Sequence, residues 1–349
     1  MTNMKHSLLD PAPPEELKNA IRRFESGHYN DAGLLLLALL EKDPSNRDVS
    51  YMFRMVERKL AVRSRTKPTL IWQMDPARVW EAEWLRTLLG NSVGAELIDK
   101  TWSTLADPMI VVDNRLVPEK ISYYRAAFEK GHRIVLIHLS DEAFRDDYGV
   151  YRYCDAIIRN YHTERLAQFT NIFFLPLGYK ADFTKTGMPK PAAARKYLWS
   201  FAGDNKKLTR AEMLSAMGNL TGGHTHLSSG FGSTDALPTD AYRALLDETV
   251  FAPAPSGWSN LETFRVYEAL EAGCIPIVEK RPKFDYFTTL LGAHPMPTVE
   301  AWVDAVDLIN QLQQSGKTEH VRMACMDWWR DYKSTLTESV AGFVSRALE

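Results

Sequence analysis

The sequence is poor in the features that would settle a function class at once. Its three cysteines, Cys154, Cys274 and Cys325, stand far apart with no paired spacing. That excludes a disulfide framework and a cysteine-based zinc site, and it fits a reducing compartment. Neither sign of charge dominates: 42 Lys and Arg against 44 Asp and Glu leave a formal net charge of −2, so no nucleic-acid partner is expected. Long apolar runs are missing as well. The longest, "AGLLLLALL" at 32–40, is about half of what a bilayer span requires and is closely flanked by charges. The start, "MTNMKHSLLDPAPPEELKNA", is polar and proline-rich, unlike a secretory leader. These absences predict a cytoplasmic protein with at most peripheral membrane contact.

What is present is an ordinary globular composition, 45% hydrophobic and 25% charged over 349 residues. That length exceeds what one core usually holds and predicts two domains with an appendage. Residues 15–60 place Ala20, Gly27, Tyr29, Ala32, Leu36, Leu39 and Pro44 at the spacing of one tetratricopeptide unit, and a third helical stretch follows. One such unit cannot bury both of its faces alone. It should pack on the rest of the chain, on a second copy in a homodimer, or on a partner protein. The basic stretch "AVRSRTK" at 61–67 reads as a joint.

Beyond it, apolar runs of strand length alternate with helical stretches. "PTLIWQM", "DPMIVVD", "HRIVLIHLSDE", "CDAIIRN" and "NIFFLPLGY" are the strands of a first series. "DPARVWEAEWLRTLLG" reads as one helix with Asp75 as N-cap and Gly90 as its stop. "YKADFTKTGMPKPAAARKY" at 179–197 interrupts the alternation with Pro and Lys before a second series begins. The expected organisation is a helical, tetratricopeptide-like segment at 1–66, a Rossmann-like lobe at 67–180, a linker at 181–196, a second Rossmann-like lobe at 197–316, and closing helices at 317–349 that can pack back on the first lobe. The fold class is α/β, with two doubly wound lobes facing a cleft.

The most informative stretch is "SNLETFRVYEALEAGCIPIV" at 259–278. Ser259 and Glu262 have capping-box spacing, which starts a helix near residue 260, and Gly273 is placed to end it. A helix N-terminus outside the carboxyl ends of parallel strands welcomes a diphosphate. "APSGWS" just before it supplies Ser256 and Gly257 for close backbone approach. Arg265 and Glu268 lie one turn apart on one face. The Arg suits phosphate and the Glu suits a ribose diol; the same spacing also serves a surface salt bridge. A second loop, "SFAGDNKKLTR", runs through Gly203 to a helix with Thr209 and Glu212 in capping-box spacing. Lys206, Lys207 and Arg210 cluster at that helix start, where cations oppose the dipole unless an anion is bound.

On these residues, "DETVFAPAPSGWSNLETFRVYEALEAGCIPIV" resembles the donor-binding core of the exostosin-like glycosyltransferases, a GT-B family. The likeness is specific over 247–279, diffuse over 68–330, and does not reach the helical N-terminus. It implies a glycosyltransferase with a nucleoside-diphosphate sugar, more often UDP-linked, held by the second lobe as donor substrate, and no further cofactor. The acceptor, a glycan or lipid-linked glycan of surface polysaccharide or glycoconjugate synthesis, would sit on the first lobe. Gly203, Lys206, Arg210, Ser256, Gly257, Arg265 and Glu268 are the donor-binding candidates, with Glu268 on the ribose and Arg265 on the diphosphate. Many retaining relatives of this fold carry two Glu separated by seven residues across this helix. The position eight before Glu268 is Asn260, which favours an inverting reaction.

Inversion needs a general base on the acceptor side. "VLIHLSDE" ends a strand with His138, Asp141 and Glu142, the catalytic candidates, although either carboxylate could instead cap the next helix. Asp113 after "MIVV" is a weaker candidate. His224 and His226 in "GGHTHLSSGFG" could line the cleft but make a poor metal site. No D-x-D triplet is present, so a metal-independent reaction is expected. Two alternatives stay open. One is an epimerase or phosphorylase on the same fold. The other is a non-catalytic sugar-binding scaffold recruited through the N-terminal helices.

Overall fold

The structure is a computed structural model that describes residues 15–60, 66–184, 187–230 and 232–348. Most of the basic joint at 61–67, together with linker residues 185 and 186, lies outside the described residues.

Three helices open the chain: α1 (Glu15–Glu25), α2 (Tyr29–Lys42) and α3 (Arg47–Leu60). They share a small core of Leu17, Ala20, Ala32, Leu36, Val49 and Val56. α3 docks this unit on the first lobe. Tyr51 stacks on Phe128 at 5.3 Å, and Arg58 forms a buried ion pair with Asp155. Leu34 and Leu37 on α2 remain exposed.

The first lobe contains β1 (Thr69–Trp72), α4 (Ala82–Leu89), β2 (Glu96–Ile98), β3 (Met109–Asp113), α5 (Ile121–Glu129), β4 (Ile134–His138), β5 (Ala156–Arg159), the short α6 (Glu164–Ala167) and β6 (Ile172–Phe174). Its sheet runs β2-β1-β3-β4-β5-β6, with every pairing parallel. The central strands "MIVVD" and "IVLIH" are buried at every residue, as expected of parallel strands covered on both faces. The expected single helix after Asp75 is divided. Asp75 caps a 3₁₀ turn at Pro76–Arg78, and α4 starts only at Ala82, though it does end at Gly90.

The second lobe contains β7 (Tyr197–Gly203), α7 (Leu208–Met217), β8 (Gly223–Leu227), α8 (Thr239–Asp247), β9 (Thr249–Ala254), α9 (Phe264–Glu271), β10 (Ile275–Glu279), α10 (Tyr286–Leu291), β11 (Thr298–Val299) and α11 (Trp302–Gln314). Its sheet is also parallel, in the order β11-β10-β9-β7-β8. The segment with His224 and His226 is thus strand β8 at the sheet edge. His224 stacks on Tyr197, and His226 Nε2 meets the Asp235 carbonyl at 2.8 Å.

A last helix of 31 residues, α12 (Thr318–Leu348), rests on both lobes. Its Trp329 stacks on Trp84 of the first lobe and packs on Tyr267 of the second. Arg133 Nη1 donates to the Leu348 carbonyl at 2.6 Å, and Arg322 Nη1 donates to the Gly273 carbonyl at 3.2 Å. The chain between the lobes is anchored by Arg195, which is buried and donates to the carbonyls of Lys190, Leu246, Thr249 and Ala272. Removing that guanidinium would strand several buried acceptors. Arg195→Met is therefore expected to destabilise the protein by about 3 kcal/mol or more, read as a lower urea midpoint at unchanged m-value.

Candidate functional site

The carboxyl ends of the two sheets border one cleft of about 430 Å³. From the first lobe and its exit it is lined by Trp80, Glu142, Tyr161, Leu177 and Lys180, and from the second chiefly by the ends of β7 and α9 and by the loop before α8.

The end of β7 is shaped by a close approach. Gly203 has φ +145°, a backbone conformation that L side chains rarely adopt, and a Cβ there would fall inside the Arg265 guanidinium. That guanidinium donates from Nε and Nη2 to the Ala202 carbonyl at 3.2 and 2.9 Å and lies over the Phe201 ring at 5.1 Å. Gly203→Ala is therefore expected to displace Arg265 from the Ala202 carbonyl and to destabilise the protein by about 2 kcal/mol, the worth of roughly one charge-assisted hydrogen bond, read as a lower urea midpoint.

Lys207 and Arg210 stand beside Arg265 on the same wall. Arg210 Nη1 donates to the Asp204 carbonyl and carboxylate at 3.0 and 2.6 Å, while its Nε is buried without a partner. Burial first, and then the neighbouring Arg265, pull its pKa down to about 10. Lys207 is likewise pulled below its ordinary value, by burial and then by Arg210. Like charges gathered in a partly desolvated wall repel one another, and an anion bound there would relieve that repulsion. Lys206 stays outside this wall, exposed, its Nζ donating to the Ser229 carbonyl at 2.5 Å.

Both expected capping boxes are replaced. α7 starts at Leu208 with Lys207 as N-cap. Thr209 shares a hydrogen bond of 2.7 Å with Ser256, and Glu212 accepts from the Trp302 amide. α9 starts at Phe264, four residues later than Ser259 and Glu262 suggest, with Thr263 as N-cap. The Thr263 hydroxyl lines the cleft, buried and unpartnered. Glu262 is drawn away from capping. It accepts from the Leu177 amide at 2.8 Å, from Tyr267 at 2.6 Å and from Tyr286 at 2.7 Å, and so ties the chain between the lobes to the second lobe. Burial raises its pKa to about 6 against those hydrogen bonds.

Glu268 points into the cleft and is 5% exposed. Burial raises its pKa to about 7, opposed by Arg265 and then by the side chain and amide of Lys180. Lys180 in turn places its ammonium 4.9 Å from the centre of the Trp80 ring. Gly257 is packed so that a Cβ would meet Glu142 Oε1 at 2.7 Å, and Ser256 touches Thr209 behind it.

On the first lobe, Glu142 is the sequence-predicted base that lines the cleft. Its Oε1 accepts from the amides of Ser259 and Asn260 at 2.7 and 3.1 Å; among the described residues its Oε2 has no partner. Asp141 and His138 do not line this cleft. Asp141 is buried and accepts from the Arg145 amide, from Tyr148 and, at 3.4 Å, from Arg159. His138 sits between Tyr151 and Asp146, at 2.7 and 2.9 Å. Asp113 is sealed in an ion pair with Lys120 at 2.6 Å. Positive φ at Ser140, Phe144 and Tyr161 surrounds Glu142, and such strain collects where a side chain must be held for a task.

Sequence reasoning did not single out Trp80, Tyr161, Lys180, Thr263 or Phe264 on the cleft wall, and it placed Lys207 in the cationic cluster without choosing it. Glu81, next to Trp80 in sequence, is buried, and burial raises its pKa to about 7; it carries no signal in the sequence. The Thr263 position was legible in principle, since a Thr directly before "FRVYEAL" is itself a good N-cap.

Residues 185–348 match the family model described as the RXYLT1 C-terminal domain. No curated protein sequence matches the chain. Among solved structures, an alpha1,3-fucosyltransferase superposes with a TM-score of 0.50 at 11% identity, over 82% of this chain and 92% of the other. HepE from Anabaena, solved in complex with UDP, gives 0.50 at 11% identity over 80% of this chain and 100% of its own. The expected two-lobe GT-B fold is thereby shown.

Proposed function

We propose that this GT-B glycosyltransferase moves a sugar from a UDP-linked donor to a hydroxyl acceptor with inversion and without a metal, in cytoplasmic synthesis of a surface glycan. The observation that carries the reading is that Lys207, Arg210 and Arg265, the buried Glu268 and Glu142 line one cleft, close enough for Lys207 and Arg210 to feel the charge of Glu142. In this reading the three cations and the unpartnered Thr263 hydroxyl hold the diphosphate, and Glu268 accepts from the ribose hydroxyls. Glu142 Oε2 takes the proton from the attacking hydroxyl as its oxygen bonds to the anomeric carbon. The bond to the diphosphate breaks on the opposite face, and the fixed cations stabilise the leaving charge, a role that falls to a metal in other enzymes. Asn260 at the position of the second retaining-type Glu supports inversion.

A thermal-shift series with UDP, GDP and UDP-sugars tests the donor, because a ligand that binds only the native state raises the melting temperature. UDP and at least one UDP-sugar are expected to raise it. Equal, negligible shifts for every nucleotide would overturn the reading.

A further inference from the structure

A second cavity, of about 510 Å³, opens between the lobes on the other side of the 259–261 loop. The 257–263 segment serves both: Gly257, Glu262 and Thr263 line the donor cleft, whereas Ser259, Asn260 and Leu261 line this cavity and the Ser259 and Asn260 amides hold Glu142. The loop that walls this cavity is thus the loop that holds the candidate base in the donor cleft. The lining is cationic and aromatic. Arg165 comes from the first lobe, and Arg281 and Lys283 come from the turn after β10, pinned by mutual Arg281–Phe284 backbone hydrogen bonds of 3.0 Å. Among the described residues none of these three cations is in an ion pair. Glu164 is the single carboxylate in the lining, with Asp285 next in sequence. His162 lines the cavity with Nδ1 buried and unpartnered, and Phe144 and Phe284 add aromatic lining.

We propose that this cavity receives the acceptor, and that Arg165, Arg281 and Lys283 bind an anionic group, a phosphate or a carboxylate, on the saccharide that carries the attacking hydroxyl. The assignment rests on the donor reading above. The division of roles follows from this loop: the anionic group sits against 259–261, and the attacking hydroxyl of the same saccharide reaches past the loop to Glu142 in the donor cleft.

The test measures binding of glucose 6-phosphate, glucuronic acid and glucose by saturation-transfer NMR titration in saturating UDP. At least one charged sugar is expected to bind about tenfold tighter than glucose, the worth of roughly one charge-assisted hydrogen bond. Which charged sugar wins separates phosphate from carboxylate. The double variant Arg281→Glu with Lys283→Glu should lose that advantage and keep its UDP affinity and melting temperature; Arg281→Gln with Lys283→Gln should lose most of it. Equal binding of all three sugars, or a preference for charge that survives both double variants, overturns the proposal. Absent UDP binding in the unmodified protein would instead remove the donor reading.

Discussion

Glu142→Gln is expected to lower kcat by about 10²–10⁴-fold, the usual worth of a positioned general base. The amide side chain can still accept from Ser259 and Asn260 through its oxygen, so the loop between the two cavities should stay in place and UDP affinity should change less than about twofold. What disappears is the ability to take a proton at the second oxygen. The check is steady-state kinetics with an active donor–acceptor pair, alongside calorimetry with UDP. Glu81→Gln is the informative companion, since Glu81 is a buried carboxylate whose charge the Tyr161 hydroxyl feels, as it feels those of Glu142 and Glu262. Full activity in Glu142→Gln together with loss in Glu81→Gln would move the base to Glu81.

The second large effect concerns Glu268. Glu268→Ala is expected to weaken UDP binding by about 10²-fold, the worth of a bidentate hydrogen bond from a ribose diol to a charged acceptor. The pH dependence has a definite sign. In the free protein the carboxyl pKa is raised from 4.5 to about 7 by burial. The folded state therefore holds this proton more tightly than the unfolded chain does. Its contribution to stability is full below about pH 4.5 and is lost as pH rises through 7. Glu262, raised to about 6, contributes in the same direction over a narrower window. A ribose diol donates to the ionised form, so binding UDP should release a proton. UDP affinity should rise between pH 5.5 and 7.5 and flatten above, while the stability of the free protein falls over the same interval. Calorimetry in buffers of different ionisation enthalpy reads the released proton directly. A flat affinity profile, or one unchanged in Glu268→Gln, would remove Glu268 from the ribose.

How legible the protein was differs between its levels. The two lobes could be read because each central strand is an uninterrupted apolar run, and such runs are buried wherever the chain goes. "MIVVD" and "IVLIH" needed no partner to be recognised. Arg265 and Glu268 could be read as a pair because helical periodicity alone puts them on one face. Helix starts were misread where a better tertiary partner existed. Glu262 has the spacing of a capping residue, yet the Tyr267 hydroxyl five residues on, and the Tyr286 hydroxyl and Leu177 amide from farther along the chain, claim its carboxylate. Thr209 and Glu212 were claimed in the same way by Ser256 and Trp302.

By itself, then, the sequence determined the alternation of strands and helices, the division into two lobes, and the cationic character of the loop after β7. All of these depend on residues close together in the chain. Only the tertiary structure decided which of two adjacent carboxylates meets the cleft and which of two adjacent lysines joins the cationic wall. Asp141 and Glu142 are neighbours of the same chemistry. They part because Arg159 and Tyr148 bury the first, while amides from the other lobe hold the second in the open. The amides that hold Glu142 are more than a hundred residues away in sequence, and no local pattern encodes them.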